Sequence, residues 1–197
     1  MISGIFIDWK GKFAIMPKLI VCLTGMPGAG KSTIAEALKS KGFEKITMGD
    51  AVRAEAARRK LEPTGENLGK LMLELREKNG YGAVAELIKD QIANSKSNVI
   101  IIDGVRSIAE VEVLKKFGTV KILAIHASAQ TRFGFLSGRG RSDAPLDRKD
   151  FAKRDSREMG VGMSESIALA DETISNNNLT IPQLIDAAYN VIKGWMK

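Results

Sequence analysis

The chain reads as an α/β fold of three layers, with a five-stranded parallel sheet between two layers of helices. Three observations predict it. Short apolar runs alternate with stretches of helical periodicity from Lys18 to Trp195, the pattern of parallel strands joined by right-handed helical crossovers. A glycine-rich run, Gly25-Met26-Pro27-Gly28-Ala29-Gly30-Lys31-Ser32, stands between the first such strand and the first such helix. The segment Asn98-Val99-Ile100-Ile101-Ile102 is apolar after its first residue and ends in Asp103-Gly104, as a central strand covered on both faces would be. Ligands of such sheets bind beyond the carboxyl ends of the strands, where Gly25 and Asp103 both fall.

Each element has its own signal. Lys18–Thr24 is expected as the first strand, followed by a helix that ends near Gly42. Residues 44–48 form a short second strand, and Gly49-Asp50 opens a helical region. Leu68, Leu71, Met72 and Leu75 recur at helical spacing, as do Val84, Leu87, Ile88 and Ile92, with Gly80 and Gly82 between the two helices. Residues 98–102 are the central strand. Ser107 and Glu110 have capping-box spacing and begin a helix that reaches about Phe117. Residues 120–127 are the next strand, and a helical segment about Thr131 runs into Gly138-Arg139-Gly140-Arg141-Ser142-Asp143-Ala144-Pro145, which reads as a mobile loop. A polar, charged helix over residues 147–159 follows. Glu172–Ser175 is the last strand, and Ile181, Leu184, Ile185, Ala188, Val191, Ile192 and Trp195 mark an amphipathic terminal helix.

Composition narrows the function classes. The 197 residues are 44% hydrophobic and 27% charged, ordinary for one globular domain. The net charge of +7 suits an anionic substrate. It is compatible with loose contact to nucleic acid, but no nucleic-acid-binding motif supports that partner. The single cysteine, Cys22, cannot form an intrachain disulfide and falls in the first strand. No apolar run approaches the ~20 residues that span a bilayer, so no membrane partner is expected. Residues 1–15 do not resemble a secretory signal, because Asp8, Trp9, Lys10 and Lys12 interrupt them. They read as an extension before a domain at 16–197, either from an upstream start or as an extra hairpin about Lys10-Gly11-Lys12. A cytoplasmic location is expected.

The glycine-rich run fits G-x-x-x-x-G-K-[ST], the phosphate-binding loop of nucleoside triphosphatases. Its glycines let several N–H groups converge on one anion. The helix behind it adds roughly half a positive charge. Lys31 supplies a full charge for the β- and γ-phosphates, and the Ser32 hydroxyl can ligate Mg²⁺. Asp103 ends its apolar run as a Walker-B carboxylate does, and its expected role is to hold Mg²⁺ or a metal-bound water. The chain lacks the guanine-reading N-K-x-D of GTPases. It has arginines after two strand ends and around the loop: Arg53, Arg106, Arg139, Arg141, Arg154 and Arg157. Their bidentate forks suit phosphate and the charge of a phosphoryl group in transit. Arg58-Arg59-Lys60 reads as a solvated helix face, and His126 as a structural histidine at a strand end.

The residues from Lys18 onward resemble the adenylate kinases, and most closely the archaeal adenylate-kinase-related group of small P-loop kinases. Gly25–Thr33 is similar to that family's phosphate loop. Thr47-Met48-Gly49-Asp50-Ala51-Val52-Arg53 resembles its T-x-G-D-x-h-R segment, and Asp103-Gly104-Val105-Arg106 its D-G-x-P-R segment, one residue shorter and without the proline. Leu136-Ser137-Gly138-Arg139 and Arg141-Ser142-Asp143 resemble the entry and exit of its lid. The resemblance implies a P-loop fold of the nucleoside monophosphate kinase type that moves the ATP γ-phosphoryl group to a monophosphate, AMP above all, with Mg²⁺. It implies ATP on Gly25, Pro27, Gly28, Ala29, Gly30, Lys31, Ser32 and Thr33, and the metal on Ser32 and Asp103. The acceptor would lie on Gly49, Asp50, Arg53, Gly104 and Arg106, within a helical region over about 49–95. Lys31, Arg139, Arg141 and Arg154 would be catalytic, the arginines closing from a lid over about 132–158. The family's adenine-reading glutamine would fall near Glu110. Residues 170–176 are similar to dephospho-coenzyme A kinases, so a kinase of that kind is the alternative. A further alternative is an ATP/AMP-dependent switch on RNA or a ribosome-assembly partner.

Overall fold

The structure is a computed structural model that describes residues 5–7, 13–15, 18–138 and 147–197. Two short strands, β1 (Ile5–Ile7) and β2 (Phe13–Ile15), pair antiparallel with Ile5 opposite Ile15. They form a ladder separate from the main sheet.

The main sheet comprises β3 (Lys18–Thr24), β4 (Glu44–Thr47), β5 (Val99–Asp103), β6 (Gly118–His126) and β7 (Glu172–Ser175). Its order is β4-β5-β3-β6-β7, and every pairing is parallel. The strands at the centre have no solvated face, which is why they read as unbroken apolar runs. Along β3 the side chains alternate between two cores. Leu19, Val21 and Leu23 pack with Ile34, Ala35 and Leu38 of α1 (Lys31–Ser40) and with Leu184, Ala188 and Ile192 of α10 (Ile181–Trp195). Ile20 and Cys22 face the other way, onto Val52 and Ala56 of α2 (Met48–Arg58), Leu71 and Leu75 of α3 (Gly65–Asn79) and Val111 and Leu114 of α6 (Ile108–Leu114). Cys22 has no exposed surface, and burial pushes its thiol far above the ordinary range.

Local chemistry sets the helix ends. Thr180 and Gln183 form a reciprocal capping box at the start of α10, satisfying two orphan donors. The helix expected from Val84 to Ile92 is two short ones, α4 (Ala83–Glu86) and α5 (Lys89–Asn94). At the break, Leu87 N–H turns to Val84 O at 3.2 Å and Ile88 N–H to Ala85 O at 3.1 Å, a tightened turn that keeps Val84, Ile88 and Ile92 all buried in one core. The second strand stops at Thr47, because Met48 already belongs to α2. The segment about Thr131 is α7 (Ala129–Ser137), which Ser128 caps by accepting from Thr131 N–H at 3.2 Å. Beyond the polar helix α8 (Arg148–Gly160) lies a helix the periodicity did not signal, α9 (Met163–Ala168). It has six residues, too few for a pattern, and starts at Gly162 with φ +103°. No described helix is long and apolar enough to cross a membrane.

Candidate active site

The carboxyl ends of β3, β4 and β5 open into a cavity of about 200 Å³. One wall is the loop between β3 and α1. Gly25, Gly28 and Gly30 take φ of 137°, 84° and 111°, a backbone path closed to other side chains. A Cβ on Gly25 would stand 2.2 Å from Ile125 O, and one on Gly28 2.9 Å from Arg132 O. The loop therefore packs directly on β6 and α7. Ala29 N–H bonds Met26 O at 3.1 Å, and Ala29 O accepts from the buried Asn176 Nδ2 at 2.9 Å. Below the loop Thr24 Oγ1 meets Ser166 Oγ of α9 at 2.8 Å. Pro27, Gly28, Lys31 and Ser32 face the cavity, while Ala29 is fully buried and Gly25, Gly30 and Thr33 complete the loop and its helix start.

Lys31 Nζ folds back on the loop, donating to Gly25 O at 2.5 Å and Met26 O at 3.2 Å. Burial lowers its pKa to about 8; Asp103 and Glu158 act against the fall, and Arg106 and Arg154 add to it. Asp103, 4% exposed, stands across the cavity at the end of β5. Ser32 and Asp103 give an all-oxygen pair of one hydroxyl and one carboxylate, a donor set that suits Mg²⁺ completed by phosphate and water.

The opposite wall is made of charged side chains. Gly49 and Arg53 of α2, Gly104 and Arg106 after β5, and Arg154 and Glu158 of α8 all line the cavity. Arg53 lies along Gly49 and pairs with Asp50. Arg106 Nε donates to Glu158 Oε2 at 2.8 Å, and its Nη1 to Gly104 O at 2.8 Å. Burial opposes ionisation of Glu158, but Arg106 outweighs it and keeps the carboxyl below its ordinary value. Thr47 also lines the cavity, and its Oγ1 is buried without a hydrogen-bond partner among the described residues, an unmet polar atom next to the ligand space.

Most of the expected residues thus meet in one place, with three differences. Asp50 does not line the cavity: it sits on the outer side of α2, paired to Arg53. Glu110 has no exposed surface. Its carboxylate accepts from Arg106 N–H at 2.7 Å and from Arg76 Nη2 at 3.1 Å. Burial raises its pKa against the pull of both partners. The capping box at Ser107 is therefore half formed: Ser107 Oγ accepts from Glu110 N–H at 3.3 Å, while the glutamate reaches Arg106 N–H, one residue before the cap. Arg139 and Arg141, with most of the expected lid loop, lie outside the described residues. His126 is exposed at the strand end and does not line the cavity.

Sequence reasoning missed Arg132 and Glu158. Arg132 is 5% exposed. It donates to Pro27 O and Ala127 O at 3.1 Å each and makes a bidentate pair with Asp155 at 2.8 and 2.6 Å. One side chain thus ties the phosphate loop to α8. The available signals were an arginine beside Phe133, Phe135 and Leu136, and the spacing of Arg154, Asp155 and Glu158 on one side of a helix.

Known proteins resemble this chain in sequence and in fold. A family model described as an AAA domain matches residues 24–150. A UPF0200 protein of Hyperthermus butylicus is 44% identical over 159 residues, covering 81% of this chain and 86% of the relative. A UPF0200 protein of Methanopyrus kandleri is 38% identical over 184 residues, covering 91% of each. Among solved structures, TT1252 from Thermus thermophilus superposes with a TM-score of 0.62 at 19% identity, over 88% of this chain and 97% of that one. A shikimate kinase from Bacteroides thetaiotaomicron gives 0.60 at 16% identity, over 89% and 98%. At those identities the shared property is the fold, a three-layer P-loop kinase fold. The chain belongs to the AAA domain family of the matching model and, with its archaeal relatives, to the UPF0200 proteins.

Proposed function

We propose that this UPF0200 member is an ATP-dependent kinase that transfers the γ-phosphoryl group to a nucleoside monophosphate, with AMP the expected acceptor. One observation carries the reading: a single cavity has the phosphate loop on one wall and Arg53 and Arg106 on the facing wall, with Lys31, Ser32 and Asp103 between them. The kinase fold of its structural neighbours supports phosphoryl transfer rather than a hydrolytic motor.

The residues divide the work. Loop N–H groups and the α1 N-terminus hold the triphosphate. Lys31 leaves the carbonyls of Gly25 and Met26 and spans the β- and γ-phosphates. Ser32 and Asp103 would hold Mg²⁺, which would supply charge neutralisation to the phosphates. Arg53 and Arg106 place the acceptor's phosphate in line. Arg154 faces the transferred group, whose equatorial oxygens carry the developing charge. Arg139 and Arg141 are proposed to join it from the lid.

A coupled assay with MgATP tests this against AMP, other monophosphates, dephospho-coenzyme A and shikimate. Transfer to AMP above the other acceptors is expected, and Lys31→Met should lower kcat/KM by about a hundredfold or more. Transfer to dephospho-coenzyme A or shikimate in preference to every monophosphate would replace the acceptor. Absence of transfer to any of them would refute the kinase reading.

A further inference from the structure

The acceptor wall is closed by one ion pair. Arg106 and Glu158 line the main cavity, and they also line a second, smaller cleft between α3 and α8. They are the two side chains that both spaces share. The far side of the cleft is formed by Met72, Leu73 and Val161, with Arg76 and Arg157 at its polar edge. The pair is thus a partition between a charged chamber and a mainly apolar one. The second chamber holds only about 10 Å³, less than a ring needs, so it admits a ligand only when the partition opens.

Three features distinguish this partition from an ordinary structural ion pair. Two of the Arg106 donors already have partners, Glu158 and Gly104 O, so an anion reaching this guanidinium competes directly with a protein carboxylate. The Nε of Arg76, in a side chain only 6% exposed, is buried without a partner among the described residues. Arg76 lines the cleft, and an unmet buried donor of this kind is costly unless it finds a partner. Finally, the released carboxylate is not stranded, because Arg157 faces the same cleft.

We propose that the Arg106–Glu158 pair is a displaceable wall and that the acceptor is a two-part molecule. Its anionic group takes Arg106 from Glu158. Its planar ring then enters the cleft against Met72, Leu73 and Val161, where Arg76 Nε donates to a ring heteroatom. Glu158 is accordingly a specificity residue: neutral acceptors cannot displace it. This rests on the reading of the Arg53–Arg106 wall as the acceptor side.

The test uses the full chain with its phosphate loop saturated by a non-hydrolysable ATP analogue and Mg²⁺. Binding of inorganic phosphate, ribose 5-phosphate and AMP is measured by calorimetry. Glu158→Gln should tighten all three by about tenfold, since the competing charge is gone. Leu73→Glu, at a half-exposed position that leaves the core intact, should weaken AMP by about fivefold and leave phosphate unchanged. Unchanged or weaker phosphate and AMP binding in a folded Glu158→Gln protein would make the pair a fixed strut and overturn the proposal. So would AMP binding no tighter than phosphate, or no binding of either probe to either protein. Should Glu158→Gln fail to fold, Glu158→Asp keeps the charge, shortens its reach and must shift affinity in the same direction. The two readings fail separately. Binding with these shifts but no phosphoryl transfer removes the kinase and keeps the partition. Transfer to AMP with unshifted affinities removes only the partition.

Discussion

The two walls of the cavity are built from different materials. The phosphate loop is backbone: three glycines at positive φ, carbonyls bonded within the loop and to Asn176 and Arg132, and one helix N-terminus. The facing wall is side chain: Arg53, Arg106, Arg154 and Glu158, drawn from three separate segments, with Arg106 satisfied by Glu158 and Arg53 by Asp50 beside it. Backbone donors are fixed before the ligand arrives and cost little reorganisation when it does. Paired side chains must exchange partners, so ligands on that wall compete with the protein's own charges. One half of the site is preorganised for an anion, and in the proposed kinase the other would select among acceptors.

If the loop's rigidity comes from its backbone path, Gly25→Ala should be the most damaging single change. The new Cβ would stand 2.2 Å from Ile125 O, a backbone atom that cannot swing aside, at φ +137°. Steric overlap and backbone strain together should cost about 4 kcal/mol. Thermal denaturation with ATP calorimetry checks it; a variant that melts and binds like the wild type would mean that the loop tolerates another path. Next in size is Arg132→Met, which removes the tie between the two walls. It leaves Asp155, of which the side chain is 14% exposed, without its bidentate partner, and breaking such a pair should cost about 3 kcal/mol. Adding Asp155→Leu removes the stranded charge and should restore part of the loss. A double variant as unstable as the single one would show that the carbonyl bonds to Pro27 and Ala127, not the carboxylate, carry the effect.

The same difference in material explains what could be read from the sequence. A backbone site needs particular residue types at fixed local spacing, so Gly25–Thr33 gave both the loop and its flanking elements directly. The central strands were legible for a related reason, since burial on both faces leaves no polar residue to interrupt Leu19–Leu23 or Val99–Ile102. A side-chain site leaves no such local trace. Arg106 meets Glu158 across a separation of 52 residues, and Arg132 meets Pro27 across 105; neither partner carries a pattern pointing at the other. Asp50 sits in the right segment, yet the turn of α2 places it outside the cavity beside Arg53. Glu110 likewise fits a helix-start pattern, but Arg76, 34 residues earlier, holds it in the interior.

The smallest expected effect bears on the one residue that belongs to both descriptions. Lys31 is a side chain in a backbone site, and without nucleotide its ammonium is held against two carbonyls at a pKa of about 8 rather than 10.5. Unfolded chains keep the ordinary value, so between these two pH values the unfolded state binds more protons. Stability must then rise with pH across that window. Charged Lys31 therefore destabilises the unliganded fold at neutral pH, and the penalty fades as it deprotonates. Urea melts of wild type and Lys31→Met between pH 7 and 10.5 isolate the term, since other titrating groups cancel in the difference. The wild type should gain about 2 kcal/mol on the variant between pH 7 and 9.5. MgATP should abolish the gain, because phosphates favour the ammonium and restore its proton. A difference that stays flat with pH would mean that the carbonyl bonds fully offset the desolvation. The loop would then hold its lysine ready without cost, and the contrast between the two walls would narrow to the arginines alone.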